Sequence, residues 1–190
     1  MFNLILLTGL CLLSACAPKA IDDCQFVKNV YGQRIIHKTL PVILYVSTDI
    51  PQEFFEIMQS SVSEINRDRT YITLFRGDVV NGARQRNFGS EVYFKNTWSD
   101  DRKSEQAVTH IWWSGDHIGE IDIAFNTDDF DFSSGKISFR TLAMHEFLHA
   151  LGMKHQMDDK HGILYPELPY YEVRGMTERE YKNLECAYGK

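Results

Sequence analysis

Residues 145–155 read HEFLHALGMKH: three histidines at offsets of four and six, with Glu146 after the first and Gly152 between the last two. An α-helix advances about 100° per residue, so His145 and His149 lie one turn apart and only about 40° from each other on one face. Two imidazoles so placed can share a metal ion. His155 cannot join them along a continuing helix, because six residues carry it roughly 120° off that face and about 9 Å further along the axis. The helix is therefore expected to stop between them, and Gly152 is placed to stop it. Glycine takes the positive φ of a helix C-terminus at little cost, which lets the chain turn back and bring His155 to the same point.

Three neutral nitrogens with a fourth position open describe a catalytic zinc site, whereas a structural zinc is normally closed by four protein ligands, often cysteines. No cysteine lies near this stretch. Zinc in such a site lowers the pKa of bound water to about 7, and Glu146, beside the first ligand, is the candidate general base. The expected chemistry is hydrolysis. A lone histidine on an amphipathic helix would read as a surface or core residue, and that reading is given to His37, His110, His117 and His161.

Around this stretch, the chain has 190 residues, 44% hydrophobic and 24% charged, which is the size and balance of one domain with a real core. A formal charge of −6 with no long basic run gives little reason to expect a surface that tracks phosphates, so nucleic acid is not an expected partner. Residues 40–47 read as a mostly buried strand, and Phe54, Phe55, Met58, Val62 and Ile65 recur at helical spacing after Pro51. Further strands are expected at 71–75, 91–98, 107–113 and 118–126. In the last, Ile121, Ile123 and Phe125 alternate with Glu120, Asp122 and Ala124, the pattern of a strand with one wet face. Helical spacing returns from Phe139 up to Gly152, and Thr177 with Glu180 forms a capping box that opens a final helix. The order implies an α/β (α+β) sandwich with a mixed sheet.

Residues 1–16, MFNLILLTGLCLLSAC, contain no charged residue and are too short to span a bilayer comfortably, which fits an export signal. Leu13-Ser14-Ala15-Cys16 resembles the lipobox of bacterial lipoproteins, in which the cysteine is lipidated and becomes the new N-terminus. Residues 1–15 then form the signal peptide and 16–38 an anchor segment, and Met1-Phe2-Asn3 lacks the positive charge usual in a signal. The resemblance implies a membrane partner through lipid on Cys16 and a place on the bacterial cell envelope, with ordinary secretion as the alternative. Cys11 would leave with the signal, so Cys24 and Cys186 remain. In an oxidising compartment they suggest one disulfide closing a loop of about 160 residues, worth roughly 4 to 5 kcal/mol in the chain-entropy model. Two free buried thiols are the other reading.

His145-Glu146-x-x-His149-x-x-Gly152-x-x-His155 matches the metzincin zinc signature at every fixed position, and residues from about 40 to 189 resemble the matrixin-like branch of that family. The resemblance implies a metzincin-like zincin fold. Its catalytic domain would span 39–190, with an upper subdomain (about 39–152) holding a twisted mixed sheet and the active-site helix, and a small lower one (about 153–190) ending in a helix. It implies a zinc endopeptidase acting on protein or peptide substrates, with one catalytic Zn2+. Residues 120–126 resemble the family's edge strand, so an extended substrate would add there, along Ile121, Ile123 and Ala124. Tyr165, Pro169, Tyr170 and Tyr171 are candidates for the pocket beside the zinc, packing of the lower subdomain being their other role.

The sequence also departs from the family. Gly162-Ile163-Leu164-Tyr165-Pro166 stands where metzincins carry a methionine-containing turn, with Leu164 in the methionine position before Pro166. Leu and Met have similar volume, a swap that usually costs under about 1.5 kcal/mol, so an apolar floor is expected. Gln156, after the third histidine, differs from the best-known branches, and no cysteine-bearing propeptide is recognisable. Asp128, Asp129 and Asp131 offer oxygens of the kind Ca2+ takes, and an acidic solvated loop accounts for them without an ion. A monomer is expected. Two alternatives stand beside the peptidase: a zinc-dependent surface binding protein that no longer cuts, and a zinc hydrolase of a non-peptide amide.

Overall fold

The computed structural model describes residues 24–79 and 89–189. Cys11 and the lipobox cysteine Cys16 lie outside the described residues. The elements are β1 (Val42–Ser47), α1 (Gln52–Ile65), β2 (Ile72–Gly77), β3 (Glu91–Lys95), β4 (Ala107–Ser114), β5 (His117–Asn126), α2 (Phe139–Ala150) and α3 (Glu178–Tyr188). Five strands form one mixed sheet in the order β2-β1-β3-β5-β4. All neighbours run parallel except β4, which is antiparallel to β5. The architecture is α/β, as the order of elements implies.

Helix α1 buries the apolar stripe of Phe54, Phe55, Met58, Val62 and Ile65 and meets α2 side by side, where Ser61 Oγ donates to the Arg140 carbonyl and Arg140 pairs with Glu64. Helix α2 is buried on nearly every side, from Phe139 through Leu142, Ala143 and Phe147 to Ala150, as a helix at the centre of a domain must be. Its first turn is capped by Ser138, which accepts from the Thr141 N–H. There Phe139 sits in an aromatic cluster, 4.8 Å from Phe54 and 4.9 Å from Phe125 between ring centroids. The capping box of Thr177 and Glu180 opens α3.

Two sequence expectations change. Residues 118–126 do not form an edge strand: β5 lies inside the sheet, paired with β3 on one side and β4 on the other. Ile121, Ile123 and Ala124 are buried, and their strand has no free main-chain edge to offer a peptide. The outer strand on this side is β4. Nor does β5 have a wet face. Glu120 and Asp122 are 1% and 2% exposed, and burial, with Glu91 and Glu120 nearby, pushes the Asp122 carboxyl up to about 7.

Residues 24–36, which show no periodicity, are woven into the domain. Phe26 and Ile35 are 1% exposed, and isolated bridges join Phe26 to Met153 and Ile36 to His117. Cys24 and Cys186 form a disulfide with Cα atoms 5.8 Å apart, tying this segment to α3. No helix of the described residues is long and apolar enough to cross a membrane. Replacing both cysteines (Cys24→Ala, Cys186→Ala) is expected to cost about 2–5 kcal/mol of unfolding free energy. Urea denaturation followed by circular dichroism measures this, with the native spectrum retained in the absence of denaturant.

Candidate metal and active site

Two of the three histidines come from α2 itself, and the third depends on how that helix ends. Gly152 has φ +92°, its N–H donates to the His149 carbonyl (2.8 Å), and the Met153 N–H donates to the Leu148 carbonyl (3.1 Å). This is the paired pattern of a Schellman C-cap, with glycine in the left-handed position. Space enforces the same choice: a Cβ on Gly152 would lie 2.6 Å from the Ile35 carbonyl oxygen and 3.3 Å from both Ile118 and Phe26. After the reversal, residues 152–154 pair with the N-terminal segment through Val27 N–H to Gly152 O and Lys154 N–H to Gln25 O, both 2.9 Å. His155 is thereby carried back beside α2.

The three imidazoles meet. Nε2 of His149 lies 2.9 Å and Nε2 of His155 lies 3.3 Å from Nε2 of His145. Nδ1 of His145 is 2.6 Å from the Ile163 carbonyl and Nδ1 of His149 is 2.7 Å from the Met153 carbonyl. A carbonyl oxygen only accepts, so each Nδ1 carries the proton. Burial, with His149 close by, drives the His145 pKa well below its ordinary value, and burial lowers that of His149 to about 4. Both rings are therefore neutral, and their Nε2 atoms present lone pairs to each other.

Two acceptors at such a distance cannot bond to one another and repel unless a cation lies between them. A tetrahedral zinc with Zn–N bonds of about 2.0–2.1 Å would separate its nitrogens by roughly 3.3 Å. The donor set fits that ion. Among the described residues this triad is the group of three or more histidine, cysteine or carboxylate side chains able to hold a metal, its ligand atoms all within 4.8 Å of one another. Asp128 and Asp129 instead accept from Trp98 N–H and Asn126 Nδ2, and Asp131 from Ser133 within its own turn.

The triad opens on a cleft of about 830 Å³. Ala107, Thr109 and Ile111 of β4 line it, as do Pro166, Glu167 and Leu168. Glu146 also reaches this cleft. Its Oε2 accepts from the Thr109 hydroxyl at 2.5 Å, and burial raises its carboxyl pKa to about 7, the Thr109 hydrogen bond opposing. Beneath His145, Ile163 and Leu164 are fully buried, and the turn closes through Tyr165 N–H to Gly162 O (3.2 Å).

The tyrosines expected beside the metal are elsewhere. Tyr165, Tyr170 and Tyr171 do not line the cleft, and the last two are 55% and 73% exposed. The Tyr171 N–H instead donates to the Lys136 carbonyl (2.7 Å), which turns that loop toward the strand-helix connection. Thr109 went unread in the sequence because only the strand register brings it to Glu146, and no local motif signals it.

No family model matches the chain, and no curated protein matches its sequence. Among solved structures it is similar to high choriolytic enzyme 1, a hatching enzyme zinc-protease from the medaka fish Oryzias latipes. Identity is 13%, over 88% of this chain and 95% of that one, with a TM-score of 0.47. That likeness is one of outline, and the chemistry of the site rests on its own side chains.

The protein is expected to bind one zinc per chain, and His155→Ala to lose it. Gly152→Ala should lower unfolding stability by more than about 1 kcal/mol, since alanine cannot take this φ freely. It should also weaken zinc affinity at least roughly tenfold, as loss of a supporting contact does at metal sites. Competition with a chromophoric chelator and thermal denaturation check both.

Proposed function

We propose that the chain is a zinc-dependent metalloendopeptidase of the metzincin type, in its matrixin-like branch, that cuts proteins or peptides outside the cytoplasm. One observation carries the reading: three neutral imidazole nitrogens and a buried carboxylate face a single cleft whose wall is the outer strand of the sheet. His145, His149 and His155 would hold the ion, which when bound supplies a Lewis acid and acidifies water. Glu146 takes the proton of the attacking water on its carboxylate and returns it to the leaving amine. The main chain of β4 binds an extended substrate by strand addition, in place of β5. Pro166, Glu167 and Leu168 border the side-chain pocket across the cleft, in place of the tyrosines.

Glu146 favours cutting over zinc-dependent binding, because holding zinc requires no general base. The apolar leader and Leu13-Ser14-Ala15-Cys16 support a lipid anchor on Cys16 at a bacterial envelope, and the Cys24–Cys186 disulfide supports an oxidising compartment. The catalytic unit works as a monomer.

Digestion of a mixed peptide library tests the activity. Cleavage should stop with a chelator, return with zinc, and fall by about 10²- to 10⁴-fold in Glu146→Ala while zinc content is unchanged. Intact peptides beside stoichiometric zinc would instead favour the binding protein. Cys16→Ser is expected to abolish incorporation of labelled fatty acid and release the chain from the membrane fraction.

A further inference from the structure

We propose that Thr109 is a positioning residue for Glu146, fixing which carboxylate oxygen is free to accept the proton; this rests on the peptidase reading above. The Thr109 hydroxyl donates to Glu146 Oε2 at 2.5 Å and also lies 3.3 Å from the Glu146 carbonyl oxygen. The two ends of the contact sit on separate, rigid supports. Glu146 belongs to the buried helix α2, and Thr109 pairs across the ladder with Ile123, which is fully buried. The hydroxyl therefore has a defined place, helped by the stiff χ1 of threonine.

The last torsion of a glutamate is broad and nearly two-fold, so an unanchored carboxylate presents either oxygen over a range of angles. With Oε2 held by Thr109, Oε1 is the oxygen left for the proton. The register gives the contact a second role. Thr109 lies on β4, the strand along which an extended substrate backbone would run, so displacement of that strand reaches the base through one hydrogen bond. The hydrogen bond also satisfies a buried carboxylate, a purely structural effect that costs stability when removed. A structural effect alone does not separate kcat from KM.

Two variants of the full chain divide these roles. Thr109→Val keeps the volume and removes the hydroxyl; Thr109→Ser keeps the hydroxyl. On a cleaved peptide, Thr109→Val should lower kcat roughly 10- to 100-fold, the equivalent of one hydrogen bond to a charged group. KM and zinc content should stay unchanged, and Thr109→Ser should restore most of kcat. A readout independent of turnover uses metal-free protein: the shift in urea midpoint caused by Thr109→Val should vanish when Glu146→Ala is already present. Wild-type kcat in Thr109→Val, equal losses in the Val and Ser variants, or the same midpoint shift in both backgrounds would each overturn the proposal. Full cleavage by Glu146→Ala, or none by the wild type, would defeat the peptidase reading instead, and the urea comparison would still decide whether Thr109 holds Glu146.

Discussion

Three nitrogens have to meet at one point, yet a helix can bring only two of them there, one turn apart. The left-handed turn at Gly152 resolves this, and much of the molecule is arranged around it. Because the chain reverses at that residue, residues 152–154 become a partner for the N-terminal segment, through Val27 and Gln25. The reversal leaves no room for a side chain, since the Ile35 carbonyl fills the space a Cβ would need. The Cys24–Cys186 disulfide then fastens the start of that segment to the last helix. The third ligand is thus held by the two ends of the described chain as well as by its own neighbours.

Burial acts on the site with opposite signs and useful results. It disfavours the imidazolium form, which leaves lone pairs on His145 and His149 for a cation. It disfavours the carboxylate form of Glu146, which makes that group a stronger base than an exposed glutamate. The Ile163 and Met153 carbonyls select the tautomer by accepting hydrogen bonds from the Nδ1–H groups. An apolar wall with a few directed acceptors does most of this, and the Arg174 guanidinium adds to the lowering at His145.

What the sequence made legible was local. The helix, its stop at Gly152 and the convergence of His145, His149 and His155 follow from offsets of four and six residues, and the α1 stripe and α3 capping box from similar spacing. Strand neighbours are a long-range property. The alternation of Ile121, Ile123 and Phe125 with Glu120 and Asp122 reads as a half-wet edge, yet β4 pairs outside it and the side chains on both faces are buried. Thr109 reaches Glu146 across 37 positions, a separation at which no pattern speaks. Residues 24–36 pair through single bridges, too short for periodicity, and Tyr170 and Tyr171 lie in a loop held by long-range contacts such as that of Tyr171 with Lys136.

The stretch between His155 and α3 contains neither helix nor strand, so something else must fix the turn under the metal site. Arg174 does this from the inside. Its buried guanidinium donates to the Gly162 carbonyl (2.9 Å) and pairs with Glu172, while its own N–H donates to Thr141 Oγ1 on α2 (2.9 Å). A buried cation is costly unless its donors are met, so this network holds the loop in one arrangement. The carbonyl it grips is one residue before that of Ile163, which orients His145. Orientation of the first ligand therefore comes from main chain, and the side chain that follows supplies only apolar volume. Leu164, fully buried, fills that volume as an apolar side chain, a task that residues of similar volume such as leucine and methionine perform about equally well.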